Sequence, residues 1–224
     1  MLKVHHLEQS RSHRVLWLLE WLELEYEVVT YPRDAKTMLA PESLRQVHPL
    51  GKSPVLEDGD LVIAESGAIV DYVMARYGEH RWVEPTVGSH EWLNQRYWLH
   101  YAEGSLMPLL VMTLVFRTVP KKMPWWLKPI AKGICQGVQQ QFLQPQIQRH
   151  GEFIESHLAR FDGQFAAQWP TPADIQMSFA VQAMAARDSR SNAPSIRAFL
   201  QKVEADPAWQ RVVARVGPLS LLGD

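Results

Sequence analysis

The chain has 224 residues, 46% apolar and 21% charged, with 23 Lys+Arg against 24 Asp+Glu and a formal net charge of -1. That length fits about one or two domains and a full hydrophobic core, and the composition excludes chain-wide disorder. The near-neutral charge argues against a nucleic-acid partner held by a basic surface, and the single cysteine, Cys135, excludes a disulfide framework, an all-cysteine metal site and a CxxC redox pair.

The first eighty residues alternate strand and helix signals. Leu2 to Leu7 reads as a short strand. Arg11 to Glu23 holds Val15, Leu16, Leu18, Leu19 and Leu22 at helical spacing, without Gly or Pro. Tyr26 to Tyr31 is β-rich and stops at Pro32. Asp34 to Val47 reads as a loop with one helical turn. Ser53 to Glu57 and Leu61 to Ala64 flank Asp58-Gly59-Asp60, a hairpin signal. Ser66 to Tyr77 carries Ile69, Val70, Tyr72, Val73 and Tyr77 as one helical stripe. The order β-α-β-(α)-β-β-α predicts a small α/β domain with a mixed sheet.

Beyond Gly78 the texture changes. Glu79 to His90 reads as a linker, and no further strand pattern follows. Glu91–Val119, Lys128–Phe161, Ala173–Arg187 and Ser195–Val216 read as helices, punctuated by Pro120, Pro124, Pro145, Pro170 and Pro207. The expected domains are 1–80, α/β, and 89–224, all-α. The first residues turn polar after one short apolar stretch, so no secretory leader is expected. The most apolar window, Leu106 to Phe116, is about half the length of a membrane span and contains Pro108. A soluble cytoplasmic protein is the expectation. Lys121 to Lys128 (Lys-Lys-Met-Pro-Trp-Trp-Leu-Lys) is basic and aromatic. It reads as a connector whose tryptophans pack or line a cleft, with contact to a membrane surface as the alternative.

Three places could carry chemistry. Ser10 and Ser12 stand where the first strand hands over to the first helix. A serine there caps the helix, or, with the positive helix end, donates to an anion such as a thiolate. Lowering a thiol pKa by about two units takes roughly 2.7 kcal/mol of differential stabilisation. Glu65-Ser66-Gly67 opens the next helix, so Ser66 either caps it or helps the N–H groups hold a carboxylate while Glu65 accepts from an ammonium. Lys52-Ser53-Pro54 precedes a strand, and a cis X-Pro bond would turn the Ser53 backbone to a ligand. Together these sites suit a peptide-like thiol with a free amino-acid end. His80, His90, His100, His150 and His157 show no metal spacing, and no Gly-rich phosphate loop or GxSxG is present.

Ser10-Arg11-Ser12-His13-Arg14-Val15-Leu16-Trp17-Leu18-Leu19-Glu20, His48-Pro49-Leu50-Gly51-Lys52-Ser53-Pro54-Val55-Leu56 and Glu65-Ser66-Gly67-Ala68-Ile69 resemble the thioredoxin-like domain of glutathione S-transferases. Thr171-Pro172-Ala173-Asp174-Ile175 is similar to that family's buried capping box. The resemblance spans nearly the whole chain and lies nearest a bacterial and fungal, serine-type subgroup. It implies a thioredoxin-like domain followed by an all-α one, and transfer of glutathione to a hydrophobic electrophile. It implies Ser10 as the hydroxyl that activates the sulfur, with Ser12 as fallback. Pro54 would be the cis-proline, Ser53 the backbone partner of the cysteinyl part, Lys52 the glycyl contact, and Glu65 and Ser66 the γ-glutamyl holders. Thr171 and Asp174 would serve folding. The electrophile is placed against the 91–119 helix, with Tyr97, His100, Tyr101 and Met107 as candidates. A homodimer without metal is implied.

Departures from the family pattern are His5 and His6 in place of a tyrosine at the end of the first strand, either a base or simply packed, and Ser53 in place of an apolar residue. The Gly163–Pro170 segment stays unassigned. Glutathione-dependent peroxide reduction at the same thiolate, and a non-catalytic carrier or assembly module, are the alternatives.

Overall fold

A computed structural model describes residues 1–166, 168–186 and 193–221. Strand β1 (Leu2–Leu7) is one of two inner strands of a four-stranded sheet ordered β2-β1-β3-β4, with β2 at Tyr26–Tyr31, β3 at Val55–Asp58 and β4 at Leu61–Ala64. β1 runs parallel to β2, pairing Leu2 with Tyr26 through Leu7 with Tyr31, and antiparallel to β3, where the pairing ends at His5 and Val55. All of β1 but Lys3 is buried. A strand covered on both faces needs no polar alternation, so LKVHHL reads weakly as a strand and folds as a central one.

Helix α1 (Ser12–Trp21) is buried from Ser12 to Leu19. It packs on β1 and α3 (Ser66–Tyr77) on one side and on α8 (Pro172–Ala185) and α10 (Pro207–Val216) on the other. Val15 to Leu19 are apolar on every face, as an enclosed helix requires, and the polar Ser12, His13 and Arg14 are buried ahead of them. The single helical turn expected before Val47 is α2 (Ser43–Val47).

The remainder is helical. The expected 91–119 helix is a longer run: α4 (His90–Tyr101), a π-helical turn (Ala102–Leu106) and α5 (Met107–Lys122). The next run repeats the device: α6 (Lys128–Val138), a π-helical turn (Gln139–Leu143) and α7 (Gln144–Arg160). Each wide turn ends two residues before a proline, Pro108 or Pro145. A π-turn absorbs the missing N–H and the ring of a proline without ending the helix. The run Ser195–Val216 is instead two helices, α9 (Pro194–Ala205) and α10, because Asp206-Pro207 stops one and starts the next. Asp206 Oδ1 accepts from the N–H groups of Ala208 (2.9 Å) and Trp209 (3.2 Å). Arg187, the expected end of α8, lies outside the described residues.

The continuous run His90–Lys122 corrects the expectation that no apolar segment has the length of a span. It has 33 residues and an 18-residue window of mean hydropathy 1.3. By length and composition it could cross a membrane, while 44% of that window is buried within the molecule. Its inner side, with Trp98, Leu99, Leu106 and Leu110, joins the one apolar core that includes Val15, Trp17 and Ile69 from the first half.

Candidate functional site

Successive residues of a strand face opposite sides, and this separates the two histidines of β1. His5 turns to Tyr31 and Glu57, each at 2.9 Å, and takes no part in the site. His6 turns to the start of α1. Its Nδ1 lies 2.7 Å from Ser12 Oγ, and Ser12 Oγ lies 2.7 Å from Ser10 Oγ. All three residues are buried. Ser10 Oγ also accepts from the Ser12 N–H at 3.3 Å, a local cap, and lies 3.5 Å from Ser53 Oγ. Burial first, and the neighbouring His13 second, lower the His6 pKa to about 4, so the ring is neutral near pH 7. Ser10 and Ser12 therefore form one hydrogen-bonded chain backed by an imidazole.

The Ser53–Pro54 bond is cis. Where the β1–β3 ladder ends, the Ser53 side chain takes over: its hydroxyl donates to the His5 carbonyl (2.9 Å) and accepts from the Leu7 N–H (3.0 Å). Among the described residues, no hydrogen bond occupies the Ser53 backbone N–H or carbonyl. Lys52 is exposed on the same loop and takes part in no ion pair among the described residues.

At α3 the capping reading of Ser66 is corrected. Glu65 holds the cap position with φ 70° and no side chain caps the helix. A non-glycine residue held at positive φ is strained, and the helix start keeps unpartnered N–H groups. Ser66 is buried, and its hydroxyl accepts from Arg14 Nη2 (2.5 Å) and Gln176 Nε2 (3.4 Å). With both acceptor positions taken, its own proton is free to donate outward. The Glu65 side chain is exposed.

Sequence reasoning missed the scaffold behind this pair. Arg14, fully buried, donates to the Gln176 carbonyl of α8 (2.8 Å) and pairs with Glu103 of the first π-turn. Arg11 Nε reaches both Glu103 oxygens at 3.0 and 3.1 Å. Burial pushes the Glu103 carboxyl up, but the charges of Arg14 and Arg11 outweigh it and hold the pKa below the ordinary value. Among the described residues, Arg14 Nε and Gln176 Oε1 are buried without a partner. The signal was present: Arg14 is a charge inside an otherwise apolar helix face. The C-terminal segment was also missed. Gln9, at φ 51° just before Ser10, donates to the Pro218 carbonyl (3.2 Å) and accepts from the Ser220 N–H (2.5 Å).

The four electrophile candidates of the 91–119 run have different surroundings. Tyr97 and Tyr101 stack on each other and face Phe153 of α7, and the Tyr101 hydroxyl bonds to His150. Met107 is buried in the core, and His100 is exposed. In this helical run, Glu103 meets Arg14 of α1 and Arg11 just before it. Trp125 and Trp126 are 81% and 62% exposed, so they are not packed, one of the two roles expected of them. A cavity of about 650 Å³ lies under the C-terminal segment, lined by Trp209, Val213, Leu219 and Leu221 among others, and holds none of the predicted site residues. Among the described residues no three His, Cys, Asp or Glu side chains converge as a metal site would need.

Known proteins are similar to this chain in sequence and fold. Residues 1–75 match the family model of the glutathione S-transferase N-terminal domain. Glutathione S-transferase 1 of Saccharomyces cerevisiae is 32% identical over 219 residues, which cover 93% of this chain and 92% of that one. Glutathione S-transferase 3 of Schizosaccharomyces pombe is 32% identical over 230 residues, covering 100% and 92%. The crystal structure of a glutathione S-transferase from Actinobacillus pleuropneumoniae superposes with a TM-score of 0.77 at 30% identity, covering 100% of this chain and 97% of that one. Full-length identity at this level, on a matching fold, makes this chain a member of the glutathione S-transferase family.

Proposed function

We propose that this glutathione S-transferase binds glutathione along residues 1–80, activates its thiol at Ser10, and directs it at a hydrophobic electrophile received beside residues 89–224. The observation that carries the reading is the buried chain His6–Ser12–Ser10, with links of 2.7 Å, ending beside the cis Ser53–Pro54 bond. With the imidazole proton on Nδ1, His6 donates to Ser12, Ser12 to Ser10, and Ser10 to the sulfur. Hydrogen bonds aligned head to tail strengthen one another, and a donor at the sulfur favours thiolate over thiol. The proton lost by the thiol goes to solvent. The thiolate then forms the S–C bond as the leaving group departs, or as the adduct takes up a proton.

The other contacts follow from the free groups. The unpaired Ser53 backbone suits the cysteinyl amide. The Ser66 proton and the bare α3 N–H groups suit the γ-glutamyl carboxylate, with exposed Glu65 for its ammonium. Lys52 suits the glycyl carboxylate. The electrophile is assigned to the side of the first π-turn where Glu103 meets Arg11. Tyr97 and Tyr101 look to α7 and are left out of that contact. A role in detoxification, a cytoplasmic location and a homodimer complete the proposal.

The test is a titration of glutathione with the purified chain, following thiolate absorbance against pH. A bound-thiol pKa well below that of free glutathione supports the reading. Binding with an unshifted pKa overturns it in favour of a carrier.

A further inference from the structure

Between Gly104 and Gly151 the chain carries Arg117, Lys121, Lys122, Lys128, Lys132 and Arg149, and no Asp or Glu, although the formal charge of the whole chain is -1. This acid-free stretch builds the α5–α6 hairpin. α6 packs on α5 with Cys135 buried and Leu127, Ala131 and Val138 half-buried. Another stripe is left open: Trp126, Ile130 and Ile134, spaced by four, are 62%, 62% and 63% exposed, and Trp125 at the hairpin tip is 81% exposed. Lys121, Lys122 and Lys128 flank the tryptophans and are exposed. Among the described residues these lysines form no ion pair.

We propose that the tip Lys121–Lys128 and the Trp126–Ile130–Ile134 flank dock onto an anionic lipid surface. Tryptophan sits well at a headgroup boundary, with an apolar body and one donor. Exposed isoleucines continue that apolar edge, and lysines around it meet the negative surface of the leaflet. The charge chooses between occupants. In a two-fold contact by this face the same patch lies on both copies, and this acid-free stretch offers the other copy's lysines no carboxylate, whereas anionic headgroups complement all of them. The contact lies on the surface, is reversible, and weakens with salt.

The experiment is co-sedimentation of the full chain with phosphatidylcholine vesicles, with and without phosphatidylserine, at low and high salt. At low salt, binding to the phosphatidylserine vesicles is expected to exceed binding to phosphatidylcholine alone by about tenfold or more, and to fall in high salt. Trp125→Ala with Trp126→Ala is expected to weaken binding to both vesicles by about tenfold. Lys121→Gln, Lys122→Gln and Lys128→Gln together are expected to erase the preference for phosphatidylserine. These positions are exposed, and circular dichroism confirms that the variants fold. A chain that stays in the supernatant at low salt overturns the proposal, as do variants that bind like the parent. If the tryptophan variant instead turns a dimer into a monomer in sedimentation velocity and the parent ignores vesicles, the face belongs to a second copy.

Discussion

On the proposed function Ser10 ends the hydrogen-bonded chain from His6 through Ser12, and each link makes a different prediction. Ser10→Ala removes the group proposed to donate to the sulfur. Turnover is expected to drop by about a hundredfold with glutathione affinity nearly intact, read by steady-state rates beside calorimetry. Ser12→Ala leaves Ser10 in place but cuts it from His6. The bound-thiol pKa is then expected to rise by about one unit, with a smaller loss of rate at pH 7 that disappears at high pH. His6→Leu should reproduce that profile, while His6→Asn, which keeps a short donor, should recover part of it. Equal rates in Ser10→Ala and the parent would move the activation to a backbone N–H. The cis Ser53–Pro54 bond and the nearness of Ser10 to Ser53 were legible in the sequence, because those residues sit in short motifs. What was not legible is contact across the chain. Arg14 meets Glu103 from 89 positions away and Gln176 from 162, and no local pattern encodes such a pair.

The start of α8 shows what one element contributes. Thr171 and Asp174 form the expected capping box: Asp174 N–H donates to Thr171 Oγ1 at 3.1 Å, and Thr171 N–H to Asp174 Oδ2 at 2.9 Å. The structure adds that Asp174 Oδ1 accepts from the Phe165 N–H at 2.7 Å. The same carboxylate thus holds Phe165, within the 163–170 segment that sequence reading left unassigned. Burial raises the Asp174 pKa from 3.8 to about 6, against the pull of its donors. The folded chain therefore holds this proton between pH 3.8 and about 6 while the unfolded chain does not. That stability is fully present below 3.8 and is lost as pH rises through about 6. His6 works the other way. Its folded pKa of about 4 lies below 6.5, so its contribution is present above 6.5 and is lost as pH falls through about 4. His13 and His157 are lowered by burial as well. Acid therefore destabilises the fold, and Asp174 opposes it. Asp174→Asn is expected to lower stability by about 2 kcal/mol. It should also steepen the loss with acid between pH 6 and 4 by about 1.4 kcal/mol per unit. Urea unfolding at several pH values measures both, and an unchanged slope would count against the raised pKa. Most elements here were readable from periodicity and caps. The π-turns were not, because a proline in a helical run signals a stop, and only the packing of both halves of each run keeps it continuous.

At the scale of the molecule, the sheet half and the helical half share one core, and a buried cation is fixed between them. Arg14 joins α1 to Ser66 of α3, to α8 through the Gln176 carbonyl, and to Glu103 of the first π-turn. Breaking a buried pair by removing one partner costs more than the pair contributes, because the remaining charge is stranded. Glu103 is 32% exposed, so the penalty is reduced, and Glu103→Gln is expected to destabilise by about 2 kcal/mol. In a chain of this size that lowers Tm by about 4–8 °C. The same guanidinium orients the Ser66 hydroxyl, so the variant is also expected to raise KM for glutathione several-fold while kcat at saturation holds. Burial holds the Glu103 carboxyl up, and Arg14 and Arg11 hold it further down. The folded pKa therefore lies below 4.5, and the contribution of the pair is present above 4.5 and lost as pH falls through the folded value. Parent and variant should converge in stability below that range and separate above it. A Tm shift without a KM shift would make Arg14 a strut alone. A KM shift that follows the same acid titration would mean that the clamp between the halves also sets the glutathione site.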